Sequence, residues 1–236
     1  MSRKTKYLVQ EKIVLHVFNQ GLEPVSGSPV PPETPMVPDP GNRRLLFRRP
    51  GDYDAAIKLF LDAQAVTSVK VLLHALLPDR IDLVLLQQEP YASSRFMQRA
   101  CQPFSRLMNG TLKRCGHFFH ARFGVKPVPS APALLDISYT MHASPVDAGL
   151  VQRAEEWPYT SCESCLQGTT LSLSDPSPVI SLVGGKDNYG RFLDQYNRAC
   201  PGSAELFLCP QAASAWKELA LTHRRIQKKS GRPGRK

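Results

Sequence analysis

The apolar positions of this chain fall into alternating runs and helical runs that follow one another in a definite order. Residues 12–19 carry Ile13, Val14, Leu15, Val17 and Phe18, a loose alternation that predicts a strand. Residues 55–66 place apolar side chains at helical spacing behind Asp52 and Asp54, the acids expected near the helix cap. Residues 69–77 and 81–86 are apolar, partly β-branched runs broken at Pro78 and Asp79, and predict two strands around a short break. Residues 91–114 predict a long helix that Pro103 should kink or split. Residues 117–128, with Phe118, Phe119, Phe123 and Val125, predict a strand or extended segment. A helix over 132–143 has Pro132 in its first turn and is expected to end at Pro145 and Gly149. Trp157, Pro158 and Tyr159 mark a packed turn, and smaller helices are expected over 179–183, 189–199 and 212–225. Strand, helix, strand, strand, helix, strand, helix is the order of an α+β sandwich with helices on an antiparallel sheet.

Two stretches interrupt the pattern. Residues 21–42 contain Pro24, Pro29, Pro31, Pro32, Pro35, Pro38 and Pro40, which remove backbone donors and predict a flexible loop. Residues 168–178 are rich in Ser, Thr and Pro and read as a linker.

Composition narrows the class. The 236 residues, 42% hydrophobic and 21% charged, suit a soluble globular protein, and no apolar run approaches the roughly 20 residues of a membrane span. The N-terminal residues are basic but lead into no signal core, so a cytoplasmic protein is expected. The formal net charge is +10, and Arg224, Arg225, Lys228, Lys229, Arg232, Arg235 and Lys236 supply seven of those charges with no acid among them. Such a tail points to a polyanionic partner gripped by an arm, or to a solvated terminus. Over 91–114, Arg95, Arg99, Arg106 and Lys113 fall within about 40° on a helical wheel, opposite Met97, Cys101, Phe104 and Met108. That basic stripe can lie along phosphates or be an ordinary solvated face. Cys162 and Cys165 have metal or redox spacing, and Cys115, His117 and His120 lie near one another, but neither set completes a zinc pattern and no metal is expected.

Several segments, in shared order and spacing between residues 7 and 168, resemble the REP-associated tyrosine transposases and related single-tyrosine HUH transposases. They are His16 to Gly21, Asp52 with Tyr53, Leu76 to Pro78, Arg95 to Gln98, Gly116 with His117, Arg122 with Phe123, Pro145 to Val151, and Trp157 to Ser161. The resemblance implies a ferredoxin-like antiparallel sheet with packed helices and a small helical C-terminal extension. It further implies cleavage of single-stranded DNA near hairpins: a helix-borne tyrosine attacks a phosphodiester while two strand histidines and a polar helix residue hold a divalent metal. Alternate strand residues face one way, so His-x-His offers two nitrogens to one ion, and the ion offsets charge in the transition state.

At these four positions the chain carries other residues. The histidine pair falls on Arg80 and Asp82, the nucleophile on Thr140 and the third ligand on Ser144. Arginine cannot ligate a metal; Arg80 would repel one, or take its place by pairing with Asp82 or with a DNA phosphate. Tyr139 neighbours the nucleophile position but is turned about 100° from it. His74 shares strand parity with Arg80 and Asp82 across the break, and His142 is close by; both are expected to be structural.

The resulting expectation is a DNA-binding, transposase-like protein without catalysis, recognising hairpin, single-stranded or A·T-rich DNA. A role in regulation or genome maintenance is expected. Arg95, Arg99, Arg106, Lys113, Arg122 and the tail are the expected contacts, with no cofactor, no membrane, and a monomer or homodimer. One alternative is an active nickase using Tyr139 and a divalent metal. Another is a protein- or RNA-interaction module acting through the proline-rich loop. Ser230 to Lys236 resembles an AT-hook core, with Ser230 replacing the usual arginine. The expected organisation is a transposase-like domain over 1–168 with a loop insertion over 21–42, a helical extension over 169–222 and a basic tail over 223–236.

Overall fold

A computed structural model describes residues 12–21, 45–113, 115–169, 173–196 and 203–219. The proline-rich segment beyond Gly21 and the basic tail lie outside the described residues. Four strands, β1 (Ile13–Gln20), β2 (Val69–Leu77), β3 (Arg80–Gln87) and β4 (Gly124–Pro127), form one sheet in the order β2-β3-β1-β4 with antiparallel neighbours. Helix α1 (Pro50–Ala65) connects β1 to β2, and α2 (Ala92–Thr111) connects β3 to β4. This is the α+β, ferredoxin-like arrangement expected from the sequence.

The alternation in β1 sends its two sets of side chains into different cores. Ile13, Leu15 and Val17 pack with Tyr53, Phe60, Phe96 and Phe104 from α1 and α2. Val14, with Val84 and Leu86 of β3, packs on the other face against Leu134 and Leu135 of α3 (Ala131–Asp147). Three further helices join that second cluster: α5 (Ser177–Leu182), α6 (Lys186–Tyr196) and α7 (Ala212–Leu219). The sheet is therefore covered on both faces, and the C-terminal helices share a core with it.

Pro78 and Asp79 make a two-residue hairpin turn, so Leu77 pairs with Arg80 and Ala75 with Asp82. His74 is opposite Leu83. It therefore does not share a face with Arg80 and Asp82, contrary to the sequence expectation, because counting parity straight through the turn skips its reversal.

Three other expectations are corrected. Helix α2 is not split at Pro103, since Phe96 and Met97 before it and Phe104 and Met108 after it are buried in one core. Of the strand or extended segment expected over 117–128, only β4 is a strand, and an isolated bridge between Gly21 and Phe119 precedes it. Helix α3 continues through Pro145 to Asp147. Proline there cannot donate to the Met141 carbonyl, but the Ser144 hydroxyl does, at 2.7 Å. The chain then turns at Gly149, whose φ of +68° suits glycine.

The segment expected as a linker is anchored where it is described. Asp175 N donates to Val71 O at 2.9 Å and Leu173 is buried. Together with Leu76 N to Tyr159 O and Ser161 N to His74 O, both 2.9 Å, this covers the outer edge of β2.

Candidate functional site

Even-numbered residues of β1 and β3 reach the α3 side of the sheet, and near one end polar side chains replace the apolar core. His16, Phe18 and Gln20 lie opposite Val84, Asp82 and Arg80, respectively. Above them, α3 presents Asp136, Ile137, Thr140, Met141 and Ser144, one helical face at spacings of one, three and four. Between the two is a cavity of about 370 Å³, with Lys126 of β4 on its lining.

Arg80, Asp82, Thr140 and Ser144 all line this cavity. Residues about 60 apart in sequence and on different elements thus meet at one cavity. Asp82 lies between two bases: its Oδ1 is 3.1 Å from His16 Nε2, and its Oδ2 is 3.5 Å from Arg80 Nε. The Thr140 hydroxyl donates to Asp136 O at 2.8 Å, and the Ser144 hydroxyl donates to Met141 O. Both hydroxyl protons are committed to the helix backbone, and neither oxygen is hydrogen-bonded to a side-chain base.

A divalent ion does not fit this donor set. His16 and Asp82 are bonded to each other, the second Asp82 oxygen faces a guanidinium, and Asp136 Oδ1 accepts the Tyr196 hydroxyl at 2.7 Å. A cation placed among them would meet Arg80 and Lys126 at close range. Among the described residues no group of three or more His, Cys, Asp or Glu side chains is arranged to hold a metal.

Tyr139 does not line the cavity. Its ring packs against Tyr196, with centroids 4.5 Å apart, and against Phe192 at 6.4 Å. Burial, and secondarily Asp147, raises its phenol pKa and disfavours the phenolate. His142 and His74 are buried and hydrogen-bonded to serines, as expected of structural histidines. Cys162 and Cys165 lie in α4 (Cys162–Gln167), where burial pushes the Cys162 thiol up to about 12 and Cys165 also upward, away from the thiolate that binds metal.

Arg95, Arg99, Arg106 and Lys113 are exposed as expected, but α2 lies on the sheet face away from the cavity. Arg95 is also paired with Glu89 at 3.4 Å. Arg122 is exposed in the segment before β4. None of the five lines the cavity. Of the cavity's basic groups, Arg80 is legible in the sequence through the resemblance, while His16 and Lys126 are not. The signal for His16 was its parity with Phe18 and Gln20 in β1. Lys126 lies in the 117–128 segment, which the sequence reads only as a strand or extended segment.

No protein-family model matches the sequence, and no curated protein does. Among solved structures the chain is similar to a REP-associated tyrosine transposase bound to a REP hairpin. The TM-score is 0.52 at 11% identity, over 73% of this chain and 90% of that one. The two share the α+β architecture of an antiparallel sheet with packed helices. No helix among the described residues is long and apolar enough to cross a membrane.

Proposed function

We propose that this chain is a degenerate relative of the REP-associated tyrosine transposases that binds DNA without cleaving it. The observation that carries the reading is the convergence of Arg80, Asp82, Thr140 and Ser144 on one cavity. The family's layout is kept, while the metal ligands and the nucleophile are replaced by an internally bonded charge cluster and two hydroxyls spent on the helix. A hairpin-bound neighbour of the same fold supports DNA as the partner. The net charge of +10, concentrated in residues 224–236, supports an electrostatic grip by the tail. Recognition of hairpin, single-stranded or A·T-rich DNA, and service in regulation or genome maintenance, belong to this reading.

Binding to hairpin and duplex DNA across a salt series tests it. Deleting residues 224–236 is expected to weaken binding at least tenfold at low salt. The deletion should also flatten the logarithmic salt slope by as much as about 6, if all seven cations contact duplex phosphates. Incubation of the full chain with labelled single-stranded DNA and Mg²⁺ or Mn²⁺ should give no covalent adduct. No binding by either form at low salt would sink the proposal, and an adduct abolished by Tyr139→Phe would establish a nickase instead.

A further inference from the structure

We infer that the cavity over β1 and β3 is a subsite for one nucleotide unit of single-stranded DNA, held by protein cations in place of a metal, with Arg80 and Lys126 on the phosphate and Phe18 against the base. The inference rests on the DNA-binding reading above and adds to it a location, a ligand and independence from metal.

The charges in the cavity are unequally occupied. Both carboxylates are engaged, Asp82 by His16 and Arg80, and Asp136 by the Tyr196 hydroxyl. The cations are held more loosely. Arg80 is ion-paired to Asp82 at 3.5 Å, yet its buried Nε has no hydrogen-bond partner, and the side chain is 37% exposed. Lys126 is exposed, extends over the Phe18 ring at 5.4 Å from its centroid, and makes no ion pair among the described residues. An incoming phosphodiester therefore finds the exposed Lys126 ammonium and the exposed part of the Arg80 side chain, while the Arg80 Nε stays buried beside Asp82.

Phe18 explains why the ligand is a nucleotide and not a simple anion. It is a half-buried aromatic on the sheet side of a cavity whose other apolar side chains, Ile137 and Met141, come from α3, so the lining offers apolar surface as well as charge. Its position is built in. A Cβ on Gly124 would lie 2.3 Å from the Phe18 Cζ, so glycine at 124 is what lets the ring settle against β4 and leaves the cavity open. An aromatic platform beside cations is the arrangement that holds single-stranded nucleic acid by stacking plus charge. The volume, about 370 Å³, is near the lower end of the usual range of about 300–1,000 Å³ for small-ligand sites, room for one unit and not for a duplex.

The test uses the full chain, a labelled single-stranded oligonucleotide and fluorescence anisotropy, in EDTA and in Mg²⁺. Affinity should agree within about twofold between the two buffers. Lys126→Gln, Phe18→Ala and Arg80→Gln should each weaken single-strand binding by about five- to tenfold. Gly124→Ala, which drives the ring into the cavity, should do the same. Duplex binding through the tail should be unchanged in all four. Lys126 is exposed and Phe18 only half-buried, so these two variants decide the matter if Arg80→Gln fails to fold. A requirement for Mg²⁺, or wild-type single-strand affinity in Lys126→Gln and Phe18→Ala, overturns the subsite and leaves the DNA-binding reading standing. Loss of all DNA binding by the wild-type chain overturns both. Inorganic phosphate competing as well as a mononucleotide removes the base from the assignment and overturns it in this form.

Discussion

Tyr189→Ala is expected to destabilise the whole described fold by about 4 kcal/mol, not to loosen the C-terminal helices alone. Tyr189 is completely buried in α6 and packs on Phe192, with ring centroids 5.6 Å apart. Emptying a site of this size in a close-packed core costs about 3–5 kcal/mol. Its hydroxyl contacts Ser138 Oγ and lies 2.9 Å from His142 Nδ1, both on α3. His142 Nε2 is 3.0 Å from Ser161 Oγ, which in turn donates to His74 O of β2 at 3.2 Å. The side chain is thus the outer end of a buried polar chain from α6 through α3 to the sheet. Tyr189→Phe keeps the ring and orphans two buried groups, so its expected cost is smaller, about 1–3 kcal/mol. Chemical denaturation followed by near-UV signal and by a probe on α1 should give coincident transitions for wild type and both variants. If Tyr189→Ala instead produced an early transition with the α1 probe unaffected, the helices after residue 173 would be a separate folding unit.

The elements were largely readable because their causes are local. Alternation in residues 12–19, the apolar, partly β-branched runs over 69–77 and 81–86 and the break at Pro78 and Asp79 gave three strands, and the spacing of Met97, Cys101, Phe104 and Met108 gave α2. Boundaries failed where a nonlocal partner decides them. Pro145 reads as a helix stop, but Ser144 supplies the bond that proline cannot. Residues 173–176 read as linker, but Asp175 is pinned to β2. The cavity was half legible. Arg80, Asp82, Thr140 and Ser144 were located through the resemblance, but nothing near them in sequence says that Asp82 would be bonded to His16, 66 positions earlier, or that Lys126 would share the lining. The exposed stripe on α2 shows the opposite error. A helical wheel identifies a solvated face, but not which side of the sheet that helix covers.

Stability should fall steeply as pH drops from 7.5 to 5, a range in which most carboxylates remain ionised. His74 and His142 are buried without a counter-charge, and removal from water lowers their pKa values to about 4 and about 3, with each histidine's charge opposing the other's at His142. In the unfolded chain both titrate near 6.5. Below that pH the unfolded state takes up protons that the native state refuses, so the stabilisation is complete above pH 6.5 and is lost progressively down to about pH 4 for His74 and about pH 3 for His142. At pH 5 the loss is on the order of 2 kcal/mol per histidine, and the slope approaches two protons, about 2.7 kcal/mol per pH unit. Against a typical total of about 5–15 kcal/mol this is a major fraction. It falls on the same serine–histidine–tyrosine chain that ties α6 to the sheet. Urea denaturation midpoints at pH 7.5, 6.5, 5.5 and 5.0 read the effect directly. A flat profile over this range would mean that both imidazoles take up protons in the native protein, and so that the polar chain is arranged around charges it does not have here; half the fall would mean that one does.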